Sequence, residues 1–232
     1  MTHNLPAPYI YFLFLLYKIL LYKYLHAHVS NEFNWKIHVD KIIAELNKRI
    51  GQLRRMKKRL TRGKLIQVAE SIFNNGIAVY LKPVFEKEEV KAQSLSTEAR
   101  KLQTIQNKML RVIFGFNLED KVNMEKLRKK IGMFSVNQLN CYHVLVEAFN
   151  VINYGSSHKI QEKWMPNNET SYSNRRMHNV KVPKVDHVKC EGFTWYGAKM
   201  WNQLPEEIKS IKKPKIFQAR VKQYLWDIIP SY

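Results

Sequence analysis

Acid is what this chain has little of. Asp and Glu number 19 against 39 Lys and Arg, which leaves a formal net charge of +20 over 232 residues. Aspartate occurs at Asp40, Asp120, Asp186 and Asp227, far apart in sequence. Two-metal phosphoryl chemistry needs carboxylates that converge on one point, and this spacing offers no such set. The acidic pair Glu88-Glu89 falls in a mixed-charge connector, and Glu206-Glu207 follows Pro205 at a helix start, where acids serve the helix dipole. Cysteine is limited to Cys141 and Cys190, too few for a disulfide framework and suited to a reducing compartment, nucleus or cytoplasm. Gly51, Gly63 and Gly76 stand alone, so no glycine-rich phosphate loop is present. No nucleophile–base–acid set stands out either. Sequence alone therefore assigns no catalytic residue and no cofactor.

A long hydrophobic run is also lacking. "YIYFLFLLYKILLYKYL" is apolar, but Lys18 and Lys23 interrupt it, and Tyr9–Tyr17 falls short of the roughly 20 residues of a membrane span. No Lys or Arg precedes the apolar stretch, as a signal peptide would require. Residues 1–23 read as a core-facing strand or helix, or as a segment of unrelated origin. A membrane anchor over residues 8–25 is the competing reading.

What the chain does have is helical rhythm. Between Trp35 and Leu60 the apolar residues Val39, Ile42, Ile43, Leu46, Ile50, Leu53, Met56 and Leu60 recur every three or four positions, with Thr61-Arg62-Gly63 as stop and turn. Leu65, Val68, Ala69, Ile72 and Phe73 form a second stripe, which must end before Pro83. Ser96 with Glu98 starts a third helix, and Gly115 can close it in the left-handed conformation. On that helix Leu102, Ile105, Met109, Val112 and Ile113 share a face, while Gln103, Gln106, Asn107, Lys108 and Arg111 line the remainder. The pattern predicts a mainly α protein: a three-helix bundle within 24–116, then a helical extension over 117–154 broken at Gly132. Ser135-x-x-Gln138 has capping-box spacing. A polar loop or linker follows over 155–181. The last segment, 182–232, carries a helix from Pro214 with Phe217, Val221, Leu225 and Ile228 on one face, and "VKVP" and "GFTW" read as short strands.

Charge gives the binding site. Lys48, Arg49, Arg54, Arg55, Lys57, Lys58, Arg59, Arg62 and Lys64 form a basic run with no acid between Glu45 and Glu70. A merely solvated face normally intersperses the two signs, so the run points to a polyanion bound through its phosphates. Lys108 and Arg111 extend the patch, and Arg175 and Arg176 are further candidates. Trp195, Tyr196 and Trp201 offer rings for base stacking, though beside Leu204 they fit a core better. Cys141, His143, His187 and Cys190 are zinc-type ligands, but Cys141 and His143 sit two apart on a helix and point different ways. No metal site is expected from them.

Four stretches, taken in order, resemble one family. "LQTIQNKMLRVIFG" (Leu102–Gly115) is similar to a helix found downstream of the palm in reverse transcriptases of non-LTR, LINE-type retrotransposons. "YLHAHVSNEFNWKIHVDKI" (Tyr24–Ile42) resembles the segment that closes the palm and enters the thumb, matching at Trp35 and His38 with His26 where the family has glycine. "KLRKKIGMFSVNQLNCYH" and "FTWYGAKMWNQLPEEIKS" with "FQARVKQYL" resemble the family's C-terminal region, including its Trp-Asn-x-Leu-Pro signature at Trp201–Pro205. The resemblance implies a helical thumb that clamps template and primer, followed by a C-terminal segment, with fingers, palm carboxylates and endonuclease expected upstream. Magnesium would be expected only with such a palm. The expected function is that of a truncated reverse-transcriptase remnant, polymerase-inactive by itself, holding RNA, DNA or their hybrid and other parts of the polymerase. The alternatives are a C-terminal fragment of a working RNA-directed DNA polymerase, a remnant without function, and a membrane-anchored basic protein.

Overall fold

A computed structural model describes residues 36–74, 96–164, 178–184 and 192–228. The protein is mainly α, and every regular element among the described residues is a helix: α1 (Lys36–Met56), α2 (Arg62–Asn74), α3 (Thr97–Phe114), α4 (Met124–Ile131), α5 (Val136–Tyr154), α6 (His158–Trp164), α7 (Phe193–Gln203), α8 (Glu206–Lys209) and α9 (Pro214–Ile228). The chain divides into two compact units, one holding residues up to 76 with 100–116, the other holding 77–99 with 117–232. The apolar segment 1–23, Trp35, Arg175, Arg176, His187 and Cys190 lie outside the described residues. No helix among the described residues is long and apolar enough to cross a membrane.

In the first unit the apolar stripes become the core. Val39, Leu46, Ile50 and Leu53 of α1, Leu65, Ala69 and Phe73 of α2, and Leu102, Ile105, Met109, Leu110 and Ile113 of α3 are all buried. Burial of such a face, rather than propensity, is what stabilises helices of this length. α1 and α3 run parallel. Lys101 Nζ meets Asp40 Oδ1 at 3.1 Å and Lys108 Nζ meets Asn47 Oδ1 at 3.3 Å, both pairs with the same sequence offset of 61. A shared offset at two points along the pair is possible only if both chains advance in the same direction. The C-terminal ends of α1 and α3 therefore lie at the same end of the unit.

Two expectations for this unit need correction. The first helix stops at Met56 rather than Leu60: Arg59 and Leu60 N–H both turn back to the Met56 carbonyl, at 2.9 and 3.0 Å, and the chain reverses into α2. On α3, Gln103 and Gln106 are buried rather than solvent-facing. Gln103 Nε2 donates to Gln106 Oε1 at 2.7 Å and to Asn107 Oδ1 at 3.1 Å. Side-chain amides one turn apart can satisfy one another, which lets a polar residue enter the buried face.

The second unit centres on α5, which packs against α7 and α9. Phe149 of α5 stacks on Phe217 of α9 with centroids 4.3 Å apart, and Trp201 of α7 closes on the same ring at 5.8 Å. The capping box forms as its spacing predicts: Ser135 Oγ accepts from Gln138 N–H, and Gln138 Oε1 accepts from Ser135 N–H. Gly132 ends α4 at φ 73° and Gly155 ends α5 at φ 63°. Residues 117–123 are a loop rather than helix. Asp120 Oδ2 accepts from Asn117 N–H, and Asn123 then caps α4 through Lys126 N–H.

The expected linker 155–181 contains helix α6, whose Trp164 is 1% exposed. Trp164 Nε1 donates to the Thr194 carbonyl at 2.7 Å. Its ring lies over Gly197, where a Cβ would come within 2.6 Å of Trp164 Cη2. "GFTW" is not a strand: Gly192 is the N-cap of α7 and Phe193 its first residue. Val180–Pro183 is likewise outside any strand. Instead, side chains hold this stretch. Asn202 pairs with both backbone groups of Val180, accepting from its N–H and donating to its carbonyl, each at 2.8 Å. Trp201 Nε1 donates to the His178 carbonyl at 2.8 Å. Lys209, 3% exposed, donates to Asn179 Oδ1, the Asn202 carbonyl and Glu206 Oε1. The Trp-Asn-x-Leu-Pro stretch is thus a clasp on the chain at 178–180.

Candidate nucleic-acid interface

The basic run occupies the end of the first unit at which α1 and α3 finish. Arg54 and Arg55 lie in the last turn of α1, Lys57, Lys58 and Arg59 in the reversing turn, and Arg62 and Lys64 in the first turn of α2. All seven are exposed. Arg111 sits half-buried in the last turn of α3. The other expected site residues stand apart from this cluster. Lys48 is exposed on α1, Arg49 is engaged with Glu45 at 3.2 Å, and Lys108 holds Asn47.

Helix dipoles account for part of the cluster. Cations in the last turn complement the negative helix end, as Arg54, Arg55 and Arg111 do. Arg62 and Lys64 do the reverse. They sit in the first turn of α2, where the dipole is already positive and no acid is present. The positive end of a helix dipole and added cations at the same helix start both attract an anion. The acids Asp40 and Glu45 of α1 are engaged elsewhere, with Lys101 and Arg49.

Two rings lie among these charges, a feature the sequence reading passed over. Phe114 and Phe116 are stacked, nearly parallel at 7°, with centroids 6.0 Å apart. The Arg62 guanidinium lies 5.2 Å from the Phe114 centroid. Between the rings, Gly115 adopts φ 81°, and a Cβ there would stand 2.9 Å from Lys57 Nζ. The signal was present in the sequence as "IFGF", but read as a helix end it gives no hint that a basic turn folds against it.

The aromatic candidates of the second unit divide. Trp201 is 1% exposed and belongs to the core. Trp195 and Tyr196 are half-buried, packed edge to face at 5.0 Å, with Lys199 over the Trp195 ring at 5.1 Å. Cys141 is fully buried, and burial pushes its thiol well above the usual range. Burial lowers the pKa of His143, whose Nε2 has no hydrogen-bond partner among the described residues. Among the described residues no three His, Cys, Asp or Glu side chains form a group able to hold a metal. Arg128 of α4 is buried, and desolvation lowers it to about 10 while Glu125 opposes the change.

Comparison of the chain with protein-family models, with curated proteins and with solved structures finds no match.

Proposed function

We propose that the chain is a thumb and post-thumb region of the non-LTR reverse-transcriptase kind, and that the basic end of its first unit binds nucleic acid through phosphates without reading sequence. One observation carries the binding proposal: exposed Arg62 and Lys64 stand at a helix start where the dipole disfavours them, beside five further exposed cations of the same turn and helix end. Such an arrangement is costly in the free protein and relieved by a bound polyanion. Four motifs in family order support the lineage. In this proposal the region supplies grip on template and primer, and nucleotidyl transfer belongs to the carboxylates of a palm.

The test is anisotropy of a labelled oligonucleotide titrated with the full chain and with a variant carrying Arg54→Glu, Arg55→Glu, Lys57→Glu and Lys58→Glu. Binding should be lost in the variant, with helical circular dichroism retained. Undiminished affinity would show that the phosphates bind elsewhere or that the cluster is only solvated.

A further inference from the structure

We propose that the end of α7 and the whole of α8 form a peptide-binding site, which in this chain is filled by its own residues His178–Val180. The site lies in the second unit and is independent of the basic end of the first. The groups that grip the segment come from one short stretch, Trp201–Lys209, and each is a side chain. Asn202 accepts from the Val180 N–H and donates to the Val180 carbonyl. The N–H and C=O of one residue point the same way only in extended backbone, so the Asn202 amide stands where the partner residue of a β-ladder would stand. Trp201 Nε1 takes the next carbonyl along, that of His178.

Side chains of the segment are read as well. Asn179 Oδ1 accepts from Lys209 Nζ at 2.6 Å, and the His178 ring meets Glu206 Oε2 at 2.9 Å. Val180 is 8% exposed. Main-chain bonds for affinity and pockets for particular side chains are the way an extended peptide is recognised on a receptor. The ligand class is therefore an extended polypeptide carrying an imidazole, an amide and an aliphatic side chain in succession. The site has its own support. Trp201 is stacked on Phe217, α7 packs on α5, and Lys209 is also held by the Asn202 carbonyl and Glu206. The segment has less: it lies outside any helix or strand, and the bond from Lys181 N–H to the Trp164 carbonyl is long at 3.4 Å. A segment gripped by side chains on a supported site can leave without unfolding it, and the same chemistry from another chain can then enter.

The test uses a labelled synthetic peptide of residues 176–184, RMHNVKVPK, and a peptide of the same composition in scrambled order. In the full chain, Asn179→Ala with Val180→Pro opens the site by removing the acceptor for Lys209 and the N–H that pairs with Asn202. The opened variant should bind the ordered peptide at least about ten-fold tighter than the wild-type chain, whose tethered segment competes at an effective concentration on the order of millimolar. Adding Asn202→Ala should weaken that binding about ten-fold, through loss of both backbone bonds. No binding by the opened variant, or equal binding of the ordered and scrambled peptides, would overturn the proposal. Loss of its helical circular dichroism would do the same, because the segment would then be core rather than ligand. One measurement needs no variant. In the wild-type chain the Val180 N–H should exchange with deuterium by local release, at least about ten-fold faster than the Leu145 N–H of α5. Exchange of both amides at the rate of global unfolding would contradict the proposal.

Discussion

Lys209 and Lys57 are the same residue put to opposite uses in the two units. Lys209 is buried to 3% exposure and donates to three oxygens at 2.6, 2.9 and 3.1 Å. Lys57 stands exposed on a turn among other cations, with its ammonium against the Gly115 backbone. The second unit uses its polar groups to fix the chain on itself: Trp201, Asn202 and Lys209 tie down 178–180. The first unit coheres mainly through its apolar stripes and leaves the cations of its basic end outward. A cation whose hydrogen bonds are filled internally serves the fold; a cluster of exposed cations carries a standing attraction for anions.

If this contrast is right, single substitutions should damage the second unit's stability and barely touch that of the first unit's basic end. The largest effect is expected for Trp201→Ala, which removes a buried ring stacked on Phe217 and the donor to the His178 carbonyl. A loss of about 3–5 kcal/mol is expected from urea unfolding followed by circular dichroism. A loss below about 1 kcal/mol would mean that the clasp region is not cooperative with the α5 core. Lys209→Met should follow at about 1–3 kcal/mol, because three acceptors lose a charged donor while the apolar stem is retained. Unchanged stability would show that solvent replaces the ammonium without cost.

The clasp also carries a pH signature. Partial burial raises the Glu206 pKa, but hydrogen bonds from Lys209 and His178 lower it more, and the net value lies below the ordinary 4.5. A carboxylate held this way contributes stability that is fully present above about pH 4.5 and is lost as pH falls through the lower folded value. Glu206→Gln should therefore lower the Tm at neutral pH, and the gap to wild type should narrow as the pH drops below 4.5. A gap that stays constant with pH would remove the carboxylate from the clasp. The smallest effect is expected for Arg54→Ala with Arg55→Ala. These exposed last-turn cations contribute through the α1 dipole, about 0.3–1 kcal/mol each at low salt and less as salt is added. A much larger loss would make them structural and weaken their reading as a binding surface.

Which parts were legible follows from how local their causes are. The stripes of α1, α2 and α3, the box at Ser135 and Gln138, and the cap at Gly115 each depend on residues within a few positions, and each is found. Helix α6 is not legible in a polar stretch, because its burial hangs on Trp164 reaching Thr194 and Gly197 some thirty positions on. Gly192-Phe193 reads as strand by composition, yet the glycine starts a helix whose partner is α5. Arg128 in "KLRKK" and Lys209 in "EEIK" look solvated by type and are buried by their neighbours. The basic run itself was legible as charge. Its placement at a helix start, next to two parallel rings, required the turn at residues 57–60 and the end of α3 to be in space together.

The most direct measurement is the affinity of the full chain for a labelled oligonucleotide over a range of salt concentration. With about six phosphates neutralised on a single strand, log K should fall against log salt with a slope of roughly −4. The slope should approach zero for the variant reversed at Arg54, Arg55, Lys57 and Lys58. A wild-type slope near zero, or a steep slope that the variant preserves, would contradict the account that this end of the first unit holds nucleic acid.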